Sequence, residues 1–501
     1  MSMELQQKQN TFSGDVLKMS MAPITVQAIN MIVMPVQSRL YAPEAFGLLT
    51  LFGSLAIPFS AFSTMGYHNS ILLPKSDGSA MEMFSASMMC VISITFVSFL
   101  LCFLFNIFHL SDKITELSYF IWLVPLSVFL HGLYQSTRFL NLRFQRFDNI
   151  ALSRISEAMS RKVLLLSLGF LGHGTGGILI LSLLIGGSIK CGILGSTIFD
   201  VYKRFVSESF SWTAILDRMK RYKKFAMYQP INELLSNAPQ FLLVLFLAVV
   251  FSNKVVGYYS MALLLLSIPA TLISSSIAEV YLQRGAKAKH ENNHNHYLEQ
   301  LLPRLFSLGF FPFFSLILFG DKLVVFVLGD GWQIAGTYAS ILSYGVFARF
   351  TIGPVGGLTT ILERQELNTI SIILKVLLSV IAIGVGWLLD SVYYILLICS
   401  IGEVLISLGV GAFILHISGL SLLKVLRIGK TYFPIGGFVV TLLMMSVLYK
   451  IEKHSNMSLL LTIVSIMIIA CYYYAMLMLK DKKIQGLISL KFKGILNAVI
   501  K

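Results

Sequence analysis

Fourteen apolar runs divide this chain, and no other feature restricts its folding as strongly. They begin near residues 17, 48, 85, 118, 156, 178, 226, 257, 301, 337, 369, 392, 435 and 458. Each is about 20 residues long, the length a helix needs to cross a hydrocarbon core about 30 Å thick. A backbone in lipid must satisfy its own polar groups, so each run predicts a helix. The fifth run carries Arg161-Lys162 near its start, and the sixth contains Gly186-Gly187 and Lys190. With 56% hydrophobic and 13% charged residues, a soluble fold would leave apolar surface uncovered. The expected fold is all-α: a polytopic membrane protein of about 14 transmembrane helices.

The net charge of +15 could suggest a nucleic-acid partner, but the basic residues stand between the apolar runs, where they set topology. With the N-terminus placed in the cytoplasm, 26 Lys and Arg fall in inner loops and six in outer ones. That bias predicts both termini inside, a multi-pass topology and an even number of helices. The first run has no small-residue cleavage site and reads as an uncleaved span. The five cysteines, Cys90, Cys102, Cys191, Cys399 and Cys471, lie within apolar runs without CxxC spacing and read as reduced core thiols.

An internal echo sets the domain plan. Gly47 and Gly257 stand at matching places between two apolar runs, 210 positions apart, and Asp112-Lys113 with Asp321-Lys322 and Arg138-Phe139 with Arg349-Phe350 repeat at nearly the same offset. The plan is an N-terminal six-helix lobe over 1–199 and a basic cytoplasmic linker over 200–225. A C-terminal six-helix lobe follows over 226–414, then two further helices and a basic tail over 415–501. Halves with an even number of helices share one orientation, about an axis along the membrane normal. They would enclose a central cavity that opens to each side in turn.

A charge at the bilayer centre costs about 2.5 to 3.5 kcal/mol, so charges kept in spans mark candidate sites. Lys18, Lys190, Arg304, Arg349 and Lys375 are the cations, and Glu233 and Glu403 the acids. Lys18 and Arg304 lie near helix ends and could snorkel. Lys375 and Glu403 are on adjacent helices and could form a structural pair, whereas Lys190 and Arg349 have no obvious acid nearby in sequence. The cationic surplus favours an anionic substrate such as a phosphate or pyrophosphate. Glu233 follows Pro230 and is flanked by Asn232 and Asn237, so it is a candidate for proton or sodium coupling or for an ion pair. Gln27 and Asn30 occupy the equivalent helix of the first half and are counted as cavity polar groups.

Other signals are discounted. Gly429-Lys430-Thr431 has Lys424 where a P-loop needs glycine. His290, His294 and His296 sit among asparagines in a solvated loop, and no metal or other cofactor is expected. Gly172-His173-Gly174-Thr175-Gly176-Gly177 reads as a tight outer turn.

Arg39, Pro43-Glu44 and Phe46-Gly47 after the first run, Val256-Gly257-Tyr258-Tyr259-Ser260 with Pro269, and Gly329-Asp330-Gly331-Trp332 carry a family likeness. The chain resembles the Wzx-type polysaccharide transporters of the multidrug/oligosaccharidyl-lipid/polysaccharide exporter superfamily. The resemblance implies a MATE-like fold of fourteen helices in two lobes, in the bacterial inner membrane. It implies a flippase for undecaprenyl-pyrophosphate-linked oligosaccharides, with a cationic cavity between the lobes and polysaccharide polymerase machinery as a partner. Lipid II flippases of the same superfamily favour arginines in the first helix, where this chain has only Lys18. Two rivals remain: a small-molecule exporter of the MATE type, which for cationic drugs should have acids in its cavity, and a membrane enzyme. No catalytic constellation survives the map of spans, and every expected outer loop is short.

Overall fold

Apolar runs become helices one for one wherever both can be compared. The computed structural model describes residues 2–107, 119–209, 211–271, 294–361, 364, 366–417 and 473–474. In chain order the helices are α1 (Ser2–Leu40), α2 (Pro43–Phe62), α3 (Tyr67–Ser70), α4 (Asp77–Ile107), α5 (Val124–Arg143), α6 (Phe147–Phe170) and α7 (Gly176–Ser209). There follow α8 (Trp212–Arg221), α9 (Lys223–Val250), α10 (Asn253–Thr271), α11 (His294–Leu328), α12 (Gln333–Ile361), α13 (Glu366–Leu388) and α14 (Val392–Ile417). No strand occurs among the described residues.

The first twelve runs correspond to α1, α2, α4 to α7 and α9 to α14. Apart from Tyr473 and Tyr474 the last two lie outside the described residues, with Gly429-Lys430-Thr431, Asp112-Lys113 and His290, as do the side chains of His294 and His296. Among the described residues eight helices are long and apolar enough to cross a membrane by length and composition: α2, α4, α7, α9, α10, α11, α13 and α14. The protein is a multi-pass membrane protein. The helix expected from residue 118 starts instead at Val124, after a 3-10 turn over Ile121–Leu123, because Pro125 suits a helix's first turn and not its interior.

The chain forms two compact units. The first comprises residues 1–261 with 376–392, the second 262–375 with 393–501. In the first, α6 packs on α1 and α7, α5 on α4 and α7, and α2 on α5, α7 and α9. Its core at one end joins Tyr67, Ile71, Met81, Met83, Phe84, Leu140, Ile198 and Ile215. Helix α4 divides along its length: Ser79 to Ser87 are largely buried, whereas Ile92, Phe96, Phe99, Leu100 and Phe103 are exposed, the pattern of a helix whose second half faces lipid. The Gly172 segment is a tight turn, with Gly172 in the left-handed region at φ 83° and His173 N–H donating to Leu168 O at 3.1 Å.

In the second unit α11 packs along α12. Helix α11 is broken at Phe319 (φ −131°, ψ 21°), beside Gly320, which lies against the backbone of Gly336 on α12. Tyr473 donates to Ser307 O at 2.8 Å and Tyr474 to Leu308 O at 3.1 Å, fixing that short stretch to α11.

Candidate functional site

Helical spacing gathers the polar side chains of the first unit. On α5, His131, Tyr134 and Arg138 recur at three- and four-residue intervals; on α6, Arg154, Glu157 and Arg161 do the same. Lys190 on α7 donates to Glu157 Oε2 at 2.8 Å and lies over the Tyr134 ring, 4.1 Å from its centroid. Arg154 Nε donates to the Tyr134 hydroxyl at 3.3 Å. Gly186 allows this meeting, since a Cβ there would lie 3.2 Å from Glu157 O and 3.5 Å from Arg161 Cβ. Lys162 donates to Gln37 Oε1 on α1 at 2.8 Å. Nearby on α9, Glu233 Oε1 stands 4.0 Å from His131 Nε2, and Asn237 donates to Glu233 O at 2.8 Å.

Lys190 therefore has an acidic partner, contrary to the expectation from sequence. Glu157 lies a helix away, where local spacing cannot show it. The pair leaves this part of the site nearly charge-balanced when empty. Arg161 Nε, by contrast, is buried and unpaired, as are Gln27 Nε2 and Gln135 Oε1. The cations singled out from the sequence include none of Arg138, Arg154, Arg161 and Lys162. The periodicity of Arg154, Glu157 and Arg161 was the signal that could have found them.

The remaining candidates are dispersed. In the second unit Lys375 and Glu403 form an ion pair at 2.9 Å, with side-chain exposures of 27% and 16%, so the structural pairing is realised. Arg349 is exposed on α12 and Arg304 half-buried on α11. Asn232 is exposed and Asn30 half-buried. The side chain of Lys18 lies outside the described residues. No group of three His, Cys, Asp or Glu able to hold a metal occurs among the described residues.

The glycines of the 210-residue echo meet each other. A Cβ on Gly47 would strike Asn253 O and lie 3.1 Å from Gly257 N, while a Cβ on Gly257 would strike Pro43 O. Residues 43 and 253 are themselves one offset apart, so the two contacts are reciprocal. Glu44 and Lys254, also one offset apart, form an ion pair at 3.2 Å.

A family described as polysaccharide biosynthesis protein matches residues 36–336, more than half of the chain. The chain belongs to this family. Its fold is shared with a lipid II flippase, MurJ, in an inward closed conformation (TM-score 0.68, 14% identity, 92% of this chain and 99% of that one covered). It is also shared with an inward-facing multidrug resistance MATE family transporter of the MOP superfamily (TM-score 0.53, 13% identity, 80% and 94% covered). No curated protein sequence matches the chain.

Proposed function

We propose that the chain is a flippase that carries undecaprenyl-pyrophosphate-linked oligosaccharide repeat units across the bacterial inner membrane. The units would serve O-antigen, capsule or exopolysaccharide and pass from the cytoplasmic to the periplasmic leaflet, where polymerase machinery would take them up. The observation that carries this reading is the cation-rich cluster on α5, α6 and α7 in a member of a polysaccharide biosynthesis family. Cations held in lipid at a cost need an anion to bind, and Arg154, Arg161 and Lys162 exceed what Glu157 can neutralise. The diphosphate would join these residues and Lys190, displacing Glu157 from the lysine, while the polyprenyl tail stays in lipid. Lys18, Arg304, Arg349 and Lys375 are further candidate cations, with Lys375 already offset by Glu403. Glu233 beside His131 is the proposed place for proton or sodium coupling.

The reciprocal contact of Gly47 and Gly257 fits alternating access. With both termini cytoplasmic, it lies at the periplasmic ends of α2 and α10, where separation would open the outer side.

The test is a deletion strain complemented with charge-neutral variants, with surface glycan and lipid-linked intermediates measured in fractionated cells. Single repeat units trapped on the cytoplasmic face, and failure of Arg161→Gln or Lys190→Gln to restore long glycan, are expected. Unpolymerised units reaching the periplasmic face would refute a flippase. Normal glycan with altered drug susceptibility would favour a MATE-like exporter.

A further inference from the structure

Helix α2 is 20 residues long, about 30 Å at 1.5 Å per residue, so Phe62 lies at the edge of the hydrocarbon core if Pro43 lies at the other. The chain turns immediately into α3, whose Tyr67 hydroxyl donates to Met219 O on α8 at 3.3 Å. Ile71 and Ile215, both fully buried, share one core. Arg218 fastens α8 to α4 through Glu82 Oε2 at 2.9 Å and Ser79 Oγ at 2.7 Å. Helix α8 is thus held rigidly at the depth where α2 leaves the membrane.

The side of this assembly turned outward has two apolar pairs. Trp212 (57% exposed) and Leu216 (48%) are one helical turn apart on α8, and Leu72 (38%) and Leu73 (54%) follow α3. Exposed cations follow them in the chain at Lys75, Lys220, Arg221, Lys223 and Lys224, outnumbering the exposed acids Asp77 and Asp217 of the same stretches. Apolar side chains at headgroup depth, rimmed by cations, fit a bilayer surface containing anionic lipid.

We propose that α8 and residues 72–75 form a binding surface for anionic phospholipid headgroups, with Trp212 and Leu216 inserted at the headgroup boundary. Each cation near such a surface strengthens association roughly fivefold. The surface is independent of the substrate site, so it can be tested without transport.

The full chain is reconstituted in phosphatidylcholine bilayers containing either brominated phosphatidylglycerol or brominated phosphatidylcholine at the same fraction. Trp212 quenching is read as the difference between wild type and Trp212→Phe. Several-fold stronger quenching by the brominated phosphatidylglycerol is expected. High salt should abolish the preference, as should Lys220→Gln combined with Arg221→Gln, Lys223→Gln and Lys224→Gln. Thermal melting in pure phosphatidylcholine confirms that the variant is folded. Equal quenching by both lipids would overturn the anionic specificity. No quenching by either would overturn the membrane contact and leave the face to a protein partner.

Discussion

Replacing Gly47 by alanine tests the reciprocal contact directly. In an isolated helix the change gains up to about 1 kcal/mol of propensity. Here the new methyl group meets the carbonyl of Asn253, a backbone atom that cannot rotate away. Overpacking of this kind costs about 1 to 3 kcal/mol, so a net loss of up to about 2 kcal/mol is expected. Gly257→Ala should cost the same, because its methyl meets Pro43 O in the mirror-image arrangement. One separation of α2 from α10 relieves both clashes, so the double variant should lose less than the sum of the two singles. Gly53→Ala is the control: it lies on the same helix with nothing within 4 Å of its Cβ, and should be neutral or stabilising. Thermal melting of the four purified proteins in one detergent measures all of this. If Gly47→Ala melted no lower than Gly53→Ala, or if the double loss were additive, the reasoning would be refuted.

Two further outcomes are expected. Burial, followed by the proximity of His131 and Arg138, holds the His68 imidazole down to about 4. Its contribution to stability is complete above pH 6.5 and is lost as pH falls from 6.5 towards 4. The loss amounts to about 3 kcal/mol at 1.36 kcal/mol per unit, and His68→Gln should flatten that part of a stability-against-pH curve. Glu403→Gln should lower the melting temperature more than the double change Lys375→Met with Glu403→Leu. The single variant leaves a half-buried ammonium without its carboxylate, whereas the double removes both charges; the opposite order would show that the pair itself supplies net stability.

The helices were legible because lipid imposes one length on every crossing, and that length is written directly into the apolar runs. Their ends were less so: α1 reaches back to Ser2 through polar residues, and α5 waits for Pro125. The site was legible only as charge. That Lys190 stands in a span could be read from its neighbours, but its pairing with Glu157 depends on how α6 and α7 face each other. Arg154 and Arg161 were obscured differently: α6 is polar enough at its start to resemble a loop, although its charges fall on one helical face. Lys375 and Glu403 could be matched because their helices are consecutive.

The reciprocal contact at Gly47 and Gly257 has a consequence for the residues beside it. Where a segment meets its own copy across a local twofold axis, each position near the axis faces itself, as in a homodimer. Glycine can face glycine, and the contact is then as close as two backbones permit. A carboxylate cannot usefully face a carboxylate, nor an ammonium an ammonium. Positions 44 and 254 face each other as glutamate and lysine. Identical residues at these two positions could not make that pair, so the attraction depends on a difference between the two segments at the point where their glycines are alike.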